Sequence, residues 1–215
     1  MVRLGAGGMD RIDSNGTCVR LRTLAVCAAL ALLAQGCAQF EAVLGPDVRE
    51  RRPDVVYDPT PPEVVDAMLA LAEVKPGDVL YDLGSGDGRI VIAAAERYGI
   101  RAVGIEIDAG LIARARENAT RAAVAPLVDF RSEDLFAANI GEASVVTLFL
   151  GAEMNLQLRP RLLVVLEPGT RVVSHQYDMG RWKPEATREV SGRVLYLWRV
   201  PVPEQPAEVT GDLSN

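Results

Sequence analysis

The chain has 215 residues, a formal net charge of -6 and a sequence pI near 5.0. This length fits one domain with a complete core plus extensions, and the acidic balance argues against a nucleic-acid partner, which needs a basic surface. All three cysteines lie in the first 37 residues, which excludes a disulfide framework or a cysteine nucleophile in the rest of the chain. His175 is the only histidine, which excludes a multi-histidine metal site, and we expect no bound metal.

Residues 1–37 have the pattern of an export signal. Arg11, Arg20 and Arg22 precede the apolar run 24–34, which is too short to span a bilayer and typical of the core of a signal peptide. The run ends in Ala34-Gln35-Gly36-Cys37, which resembles a bacterial lipoprotein signal, so we expect export and membrane attachment through a lipidated Cys37. The alternatives are a plain secretory signal, or a mis-assigned start with Met9 as another candidate, in which case the protein is cytoplasmic.

An ordered domain is predicted over residues 57–200, between a linker at 38–56 and a polar, proline-rich tail at 201–215 that we expect to be disordered. The domain opens with Thr60-Pro61-Pro62-Glu63. This pattern predicts a helix with Thr60 as its N-cap and Pro61 as its first residue. An apolar face at helical spacing then continues to Ala72.

A glycine-rich loop follows the first predicted strand, 79–82. Gly84, Gly86 and Gly88 alternate with other residues, and a helix is predicted from Ile90 to Tyr98, closed by Gly99. A strand, a tight glycine turn and a helix N-terminus together allow backbone N–H groups to face a ligand closely. The loop therefore predicts a binding site.

The remaining elements alternate between strand and helix. Strands are predicted at 101–106, 127–131, 143–150 and 170–175, with helices at 108–123 and 154–166, the second bent or restarted at Pro160. The chain closes with an antiparallel pair, 187–190 and 194–200. This order predicts an α/β fold: a Rossmann-like, doubly wound, seven-stranded, mostly parallel sheet with a C-terminal antiparallel strand pair. Ligands of such sheets bind at the carboxyl ends of the strands.

The residues of the glycine loop select among nucleotide-like ligands. Arg89 occupies the position of the third glycine of a dinucleotide fingerprint, and no Gly-Lys-Ser/Thr of a phosphate loop is present. Asp82 and Asp87 would repel a pyrophosphate and favour a ligand with positive charge, an amine or hydroxyls. S-adenosylmethionine is such a ligand, because it offers an ammonium, a sulfonium and a ribose.

Residues 82–88, together with Gly104-Ile105-Glu106 and Glu133-Asp134-Leu135, resemble the class I, seven-strand S-adenosylmethionine methyltransferases. The resemblance implies that Asp82 steers the ammonium group, that Glu106 holds the ribose and that Asp134, with Glu133 as its rival, contacts the adenine amine. The alternative for Asp134 is a helix cap. The residues that the resemblance assigns to the cofactor are Asp82, Leu83, Gly84, Ser85, Gly86, Asp87, Gly88, Glu106, Ile107, Glu133, Asp134 and Leu135.

A narrower resemblance covers about 57–200. Pro59-Thr60-Pro61, residues 82–95 and Val172-Val173-Ser174-His175 are similar to a prokaryotic branch of the family that holds the mitochondrial ATP-synthase and adenine-nucleotide-translocase lysine methyltransferases. This implies N-methylation of a lysine in a protein substrate, and we expect the enzyme to be a monomer. Methyltransferases that act on adenine or on amides carry an Asn/Asp-Pro-Pro-Tyr signature after the fourth strand. Leu150-Gly151-Ala152-Glu153 stands there instead, which argues against DNA-adenine or glutamine methylation.

Candidates for the acceptor end of the site are residues that could hold an amine by charge, hydrogen bonds or cation–π attraction. Each has a structural alternative: His175 as a hydrogen-bonded core residue, for example, or Trp182 as a cover over the sheet edge. Two rival functions remain, a small-molecule methyltransferase and a non-catalytic exported binding module, the latter because S-adenosylmethionine is made in the cytoplasm. The candidates are Tyr57 and His175 as catalytic residues, and Glu153, Asn155, Tyr177 and Trp182 as the substrate pocket.

Overall fold

The computed structural model describes residues 57–202. The predicted signal segment with Cys37, the linker 38–56 and the tail from residue 203 onwards lie outside the described residues, so export, lipid attachment and tail disorder stay predictions. Within residues 57–202, no helix combines the length and the apolar character that a membrane crossing requires. The same residues contain no group of His, Cys, Asp and Glu side chains placed to hold a metal ion.

Seven strands form one sheet in the order β3-β2-β1-β4-β5-β7-β6. The first five are parallel to one another, and β7 runs antiparallel to both β5 and β6. The predicted doubly wound sheet with a closing antiparallel pair is therefore confirmed. The strands are β1 Val79–Leu83, β2 Arg101–Glu106, β3 Val128–Ser132, β4 Val145–Leu148, β5 Arg171–His175, β6 Ala186–Val190 and β7 Arg193–Arg199.

Within the described residues 57–202, four helices flank the sheet, and their ends follow local sequence signals. The helices are α1 Pro62–Leu71, α2 Arg89–Tyr98, α3 Ala109–Arg121 and α4 Ala152–Val165, with a 3₁₀ turn at Ala125–Leu127. Helix α2 ends at Gly99, whose φ of 63° is left-handed, and helix α3 begins after Asp108, whose carboxylate accepts hydrogen bonds from the amides of Gly110 and Leu111. Both ends agree with the prediction from the sequence.

The predicted start of α1 is wrong by one residue. Pro61, not Thr60, occupies the N-cap position, with φ -59° and ψ 149°, and no side chain caps the helix. The cause is Pro62, because a residue that precedes proline is pushed into the extended region and cannot begin a helix. The hydroxyl of Thr60 lies instead 3.3 Å from Nδ1 of His175.

Helix α4 is continuous through Pro160 and begins at Ala152 rather than at residue 154. The missing amide of Pro160 removes one backbone hydrogen bond, to the carbonyl of Leu156, without ending the helix. The predicted restart at Pro160 is therefore wrong, and the predicted bend stays a prediction.

The core has two layers, one on each face of the sheet. Leu80 of β1 points into the cluster formed with α1, α2 and α3, whereas its neighbour Tyr81 points into the cluster that contains Leu158 and Leu162 of α4. Strand β4 is buried along its whole length, including the polar Thr147, which is typical of a strand covered on both faces. Burial of both faces leaves the carboxyl ends of the parallel strands as the place for a ligand.

Candidate functional site

A cavity of about 520 Å³ lies at the carboxyl ends of β1, β2, β3 and β4. Its size falls within the range of small-molecule sites. The wall is formed by Tyr57, Asp58, Pro59, Thr60, Asp82, Gly84, Ser85, Gly86, Asp87, Arg89, Ile90, Ile105, Glu106, Ile107, Asp108, Leu111, Glu133, Asp134, Leu135, Phe136, Phe149, Leu150 and Met154.

The glycine loop crosses the centre of this wall. Gly86 has a φ of 54°, and a Cβ atom there would lie 2.7 Å from Cε2 of Tyr57. A Cβ on Gly88, at φ 80°, would lie 2.6 Å from Cζ of Phe130. Glycine is therefore required at both positions by backbone conformation and by close approach.

Glu106 is fixed beside the loop by three backbone amides. Its Oε1 accepts hydrogen bonds from Ile107 N at 2.7 Å and Asp108 N at 3.0 Å, and its Oε2 accepts one from Gly86 N at 3.0 Å. An ionised carboxylate has about four acceptor positions, so capacity remains for a ligand. The side chain is buried yet part of the cavity wall. This arrangement suits a ligand with hydroxyls, such as a ribose.

Asp82 presents a buried carboxylate at the end of β1. Thr147 Oγ1 donates a hydrogen bond to it at 2.7 Å, and within residues 57–202 no cation pairs with it. Burial raises the pKa of Asp82 to about 7, the charges of Glu106 and Asp87 add to this rise, and the Thr147 hydrogen bond opposes it. A ligand ammonium would provide the missing positive charge, so the donor set fits S-adenosylmethionine.

Asp87 and Arg89 connect the loop to the segment 57–60, which we call the strap. Arg89 donates to Asp87 from Nε at 2.9 Å and from Nη2 at 2.7 Å, and to the carbonyl of Thr60 from Nη1 at 2.8 Å. Its Nη2 also lies 3.4 Å from the hydroxyl of Tyr57. Burial alone would raise the pKa of Asp87, but the hydrogen bonds and charge of Arg89 outweigh it and lower that pKa. The strap is thus anchored to the loop at two residues.

The residues after β3 close one end of the cavity. The backbone amide of Phe136 donates to Asp134 Oδ1 at 2.9 Å, and the amides of Ala137 and Ala138 donate to the Asp134 carbonyl. Asp134 therefore caps a turn as well as lining the cavity. No helix directly follows it among the described residues, so the predicted alternative of a helix cap is wrong, and the contact with the adenine amine stays a prediction.

The structure brings most of the predicted cofactor residues together. Ten of the twelve line the cavity; Leu83 and Gly88 lie outside its wall. Of the predicted acceptor residues, Tyr57 lines the cavity. The five that lie outside the wall are Glu153, Asn155, His175, Tyr177 and Trp182.

His175 is fully buried behind the wall. Its ring centroid lies 3.9 Å from that of Phe149, and its Nε2 has no hydrogen-bond partner within residues 57–202. Burial, helped by the positive charge of Arg193, lowers the pKa of His175 to about 4 against the opposing charge of Asp58. His175 is therefore neutral at neutral pH and supports Phe149 and Thr60, which do line the cavity.

Three further candidates have structural contacts. Asn155 Nδ2 donates to Ser174 Oγ and to the carbonyl of Tyr177, both at 2.9 Å, and so joins α4 to the chain after β5. The backbone carbonyl of Trp182 accepts a hydrogen bond from Trp198 Nε1 at 2.7 Å, and the two indoles pack 5.9 Å apart. Glu153 accepts a hydrogen bond from Gln157 on the exposed surface of α4.

Several residues of the cavity wall are not predicted from the sequence, among them Phe149, Met154 and Asp58. Phe149 and Met154 follow β4, and Asp58 lies in the strap beside Tyr57. Phe149 carried a usable signal, because it directly follows a fully buried parallel strand. Asp58 carried none, since nothing local to it indicates that the strap crosses the glycine loop.

Comparison with known proteins identifies the family. The chain is 42% identical over 151 residues to a protein-lysine N-methyltransferase of Saccharolobus islandicus (strain REY15A), a match that covers 68% of this chain and 94% of the archaeal protein. The chain belongs to the same family as this protein-lysine N-methyltransferase. The ANTKMT methyltransferase domain also matches residues 82–186. The predicted class I family, with its protein-lysine N-methyltransferase branch, is therefore confirmed.

Two other relatives extend the comparison. The adenine nucleotide translocase lysine N-methyltransferase of Mus musculus is 37% identical over 123 residues, which cover 57% of this chain and 53% of the mouse protein. A solved structure from Salinibacter ruber, described as an RNA methyltransferase in complex with S-adenosyl-L-homocysteine, is 57% identical with a TM-score of 0.67 and covers 69% of this chain and 98% of that chain. The cofactor prediction is thereby confirmed for this family, since a close relative holds the demethylated cofactor.

Proposed function

We propose that this methyltransferase transfers a methyl group from S-adenosylmethionine to the side-chain amine of a lysine in a protein. The observation that carries the proposal is one cavity holding a buried, unneutralised carboxylate, Asp82, beside a carboxylate anchored by three amides, Glu106. The first suits the ammonium of the cofactor and the second its ribose hydroxyls. The lysine acceptor is inferred from the family, because the archaeal relative, which matches across 94% of its length, is named a protein-lysine N-methyltransferase.

The adenine end follows from the position of the remaining wall. Glu133, Asp134 and Leu135 lie after β3, which is next to β2 and Glu106 in the sheet. Asp134 offers a carboxylate to the adenine amine, while Leu135 and Phe136 offer apolar contact to the ring. The order of strands β3, β2 and β1 thus gives the order adenine, ribose and methionine along the cavity.

When bound, S-adenosylmethionine supplies a methyl group on a sulfonium: the amine lone pair forms the N–C bond as the C–S bond breaks, and that electron pair stays on sulfur. The protein needs to align the amine and exclude excess water. Phe149, Leu150 and Met154 form an apolar wall after β4 for this purpose. The amine must first lose a proton, and water at the half-exposed ring of Tyr57 can accept it.

Charge favours a lysine over a nucleic acid as the acceptor. Among residues 57–202, the cavity wall carries seven acidic residues and one arginine, and that arginine is paired with Asp87. A phosphate backbone would be repelled by such a wall, whereas an ammonium would be attracted. The net charge of -6 also disfavours a nucleic acid as the acceptor.

The experiment is methyl transfer by the full chain into a dialysed bacterial lysate with S-adenosylmethionine labelled on its methyl group. We expect label in protein, resistant to ribonuclease, and recovered after acid hydrolysis as methylated lysine. Label in the RNA fraction or in a small molecule would contradict a lysine acceptor. No transfer to any fraction, together with no binding of the cofactor, would favour the rival binding-module function.

A further inference from the structure

We propose that Asp58 binds the positive charge of the incoming lysine and so makes the acceptor end of the cavity specific for an amine. This inference rests on the proposed function and adds a residue to it. Asp58 belongs to the strap, lies in the cavity wall and is exposed to solvent.

Asp58 belongs to a part of the cavity wall, the strap, that contains none of the predicted cofactor residues. Those residues follow β1, β2 and β3, which occupy one side of the sheet order. The rest of the wall consists of the strap and of Phe149, Leu150 and Met154 after β4. The strap also contacts the end of β5, because the hydroxyl of Thr60 lies 3.3 Å from Nδ1 of His175. Asp58 therefore lies in the part of the wall that runs from the glycine loop to the end of β5, outside the set of cofactor residues.

The other acidic residues of the wall either make side-chain contacts within the protein or lie at the adenine end of the cavity. Asp82 accepts a hydrogen bond from Thr147, Asp87 is paired with Arg89, and Asp108 caps α3. Glu106 accepts three backbone amides, while Glu133 and Asp134 lie at the adenine end.

Like Asp82, Asp58 has no cation paired with it in the part of the chain that the structure describes, but Asp58 does not belong to the predicted cofactor residues. Within residues 57–202 its side chain makes no hydrogen bond and no ion pair. Its charge acts on the buried His175, which is neutral. A carboxylate in a cavity wall without a cation attracts an ammonium ligand.

The strap holds Asp58 in a defined place. Tyr57 on one side is within reach of Arg89, with 3.4 Å between the hydroxyl and Nη2, and Thr60 on the other side is bound through its carbonyl. Pro59 further restricts the backbone between these anchors. A charge that is already positioned costs less ordering when the ligand binds.

Aromatic rings complete the proposed amine site. Tyr57 and Phe149 are both part of the wall, and Phe149 is held in place by its contact with the ring of His175. Aromatic faces attract ammonium groups and also pack against the methylene chain of a lysine. Asp58 supplies the charge and these rings supply the apolar contact, a combination that a neutral or anionic acceptor cannot use.

The test compares the full-length wild type with Asp58→Asn, Asp58→Glu and Asp58→Lys. Initial rates of methyllysine formation are measured over a series of lysate protein concentrations, and S-adenosylmethionine binding is measured by calorimetry. We expect Asp58→Asn to raise the apparent KM for lysate protein about tenfold with little change in kcat or in cofactor Kd. Asp58→Glu should recover most of the loss, and Asp58→Lys should exceed the loss of Asp58→Asn.

The matched control is Glu63→Gln, which removes an exposed acid five residues away that lies outside the cavity wall. It should behave as the wild type. If Asp58→Asn equals this control while the wild type forms methyllysine, or if it weakens the cofactor as much as the acceptor, the inference is wrong and the proposed function stands. If the wild type forms no methyllysine, the proposed function fails and the inference falls with it.

Discussion

Replacing Glu106 by alanine is expected to weaken S-adenosylmethionine binding about a hundredfold. Two hydrogen bonds from ribose hydroxyls to a charged acceptor are together worth about 3 kcal/mol, which corresponds to about a hundredfold in Kd. The change also removes the shared acceptor of Gly86, Ile107 and Asp108, so the glycine loop loses a support as well. Calorimetric titration of the full chain with the cofactor measures the effect.

The control for Glu106→Ala is Glu117→Ala, which removes an exposed glutamate from α3 away from the cavity. Its cofactor Kd should match the wild type. Glutamine at position 106 should not restore binding. In either orientation its amide nitrogen, itself a donor, would face the backbone N–H of Gly86 or those of Ile107 and Asp108. A Kd for Glu106→Ala within threefold of the wild type, in a variant whose thermal unfolding shows a folded protein, would refute the ribose role.

Replacing Asp82 by asparagine is expected to stabilise the free protein at pH 8 while weakening the cofactor. The carboxyl group of an unfolded chain ionises near 3.8, but that of the folded protein ionises near 7. The folded state therefore binds more protons between these values, and its stability falls as the pH rises through them. The buried charge costs on the order of 4 kcal/mol at pH 8, and asparagine removes the charge while its oxygen can still accept from Thr147.

Chemical denaturation at several pH values measures this effect. The gain in unfolding free energy from Asp82→Asn should be about 2 kcal/mol at pH 8 and should vanish as the pH approaches 4, where the folded wild type is protonated and the buried charge is absent. Asp66→Asn, which alters an exposed acid on α1, should change the unfolding free energy by less than about 0.5 kcal/mol at either pH. A destabilised Asp82→Asn variant at pH 8 would contradict the assignment of an unneutralised, buried charge.

The same carboxylate makes cofactor binding depend on pH. The ammonium of S-adenosylmethionine binds the ionised form, so the wild-type affinity should rise as the pH increases from 6 to 8, and binding should release a proton below about pH 7. Calorimetry in two buffers of different ionisation enthalpy detects this proton. Asp82→Asn should show at least tenfold weaker binding and no such pH dependence. Proton release that persists in the variant would assign it to another group.

The sequence predicts the sheet and the cofactor half of the cavity well because both depend on local signals. Gly84, Gly86 and Gly88 are close together in the chain, and Glu106 marks the end of the next strand, so one rule about parallel strands places all four. The predicted start of α1 is wrong because the helix signals of Thr60-Pro61-Pro62 compete with the restriction that Pro62 imposes on Pro61.

The acceptor half could not be predicted in the same way. It is assembled from the strap, from Phe149 and from Met154, which are about ninety residues apart in the chain and meet only in the folded protein. His175 illustrates the difficulty, because its position at the end of β5 suggests a catalytic residue. The folded chain instead buries its ring beneath Phe149. The face on which a strand's last side chain lies depends on register, which the sequence alone does not specify.

The most direct test is a crystal structure of the full chain with S-adenosylhomocysteine. We predict that the ligand occupies the cavity with both ribose hydroxyls on Glu106, the ammonium at Asp82, the adenine beside Asp134 and the sulfur directed towards Phe149 and the strap. A ligand bound outside this cavity, or one whose ribose lies away from Glu106, would contradict the assignment of the site.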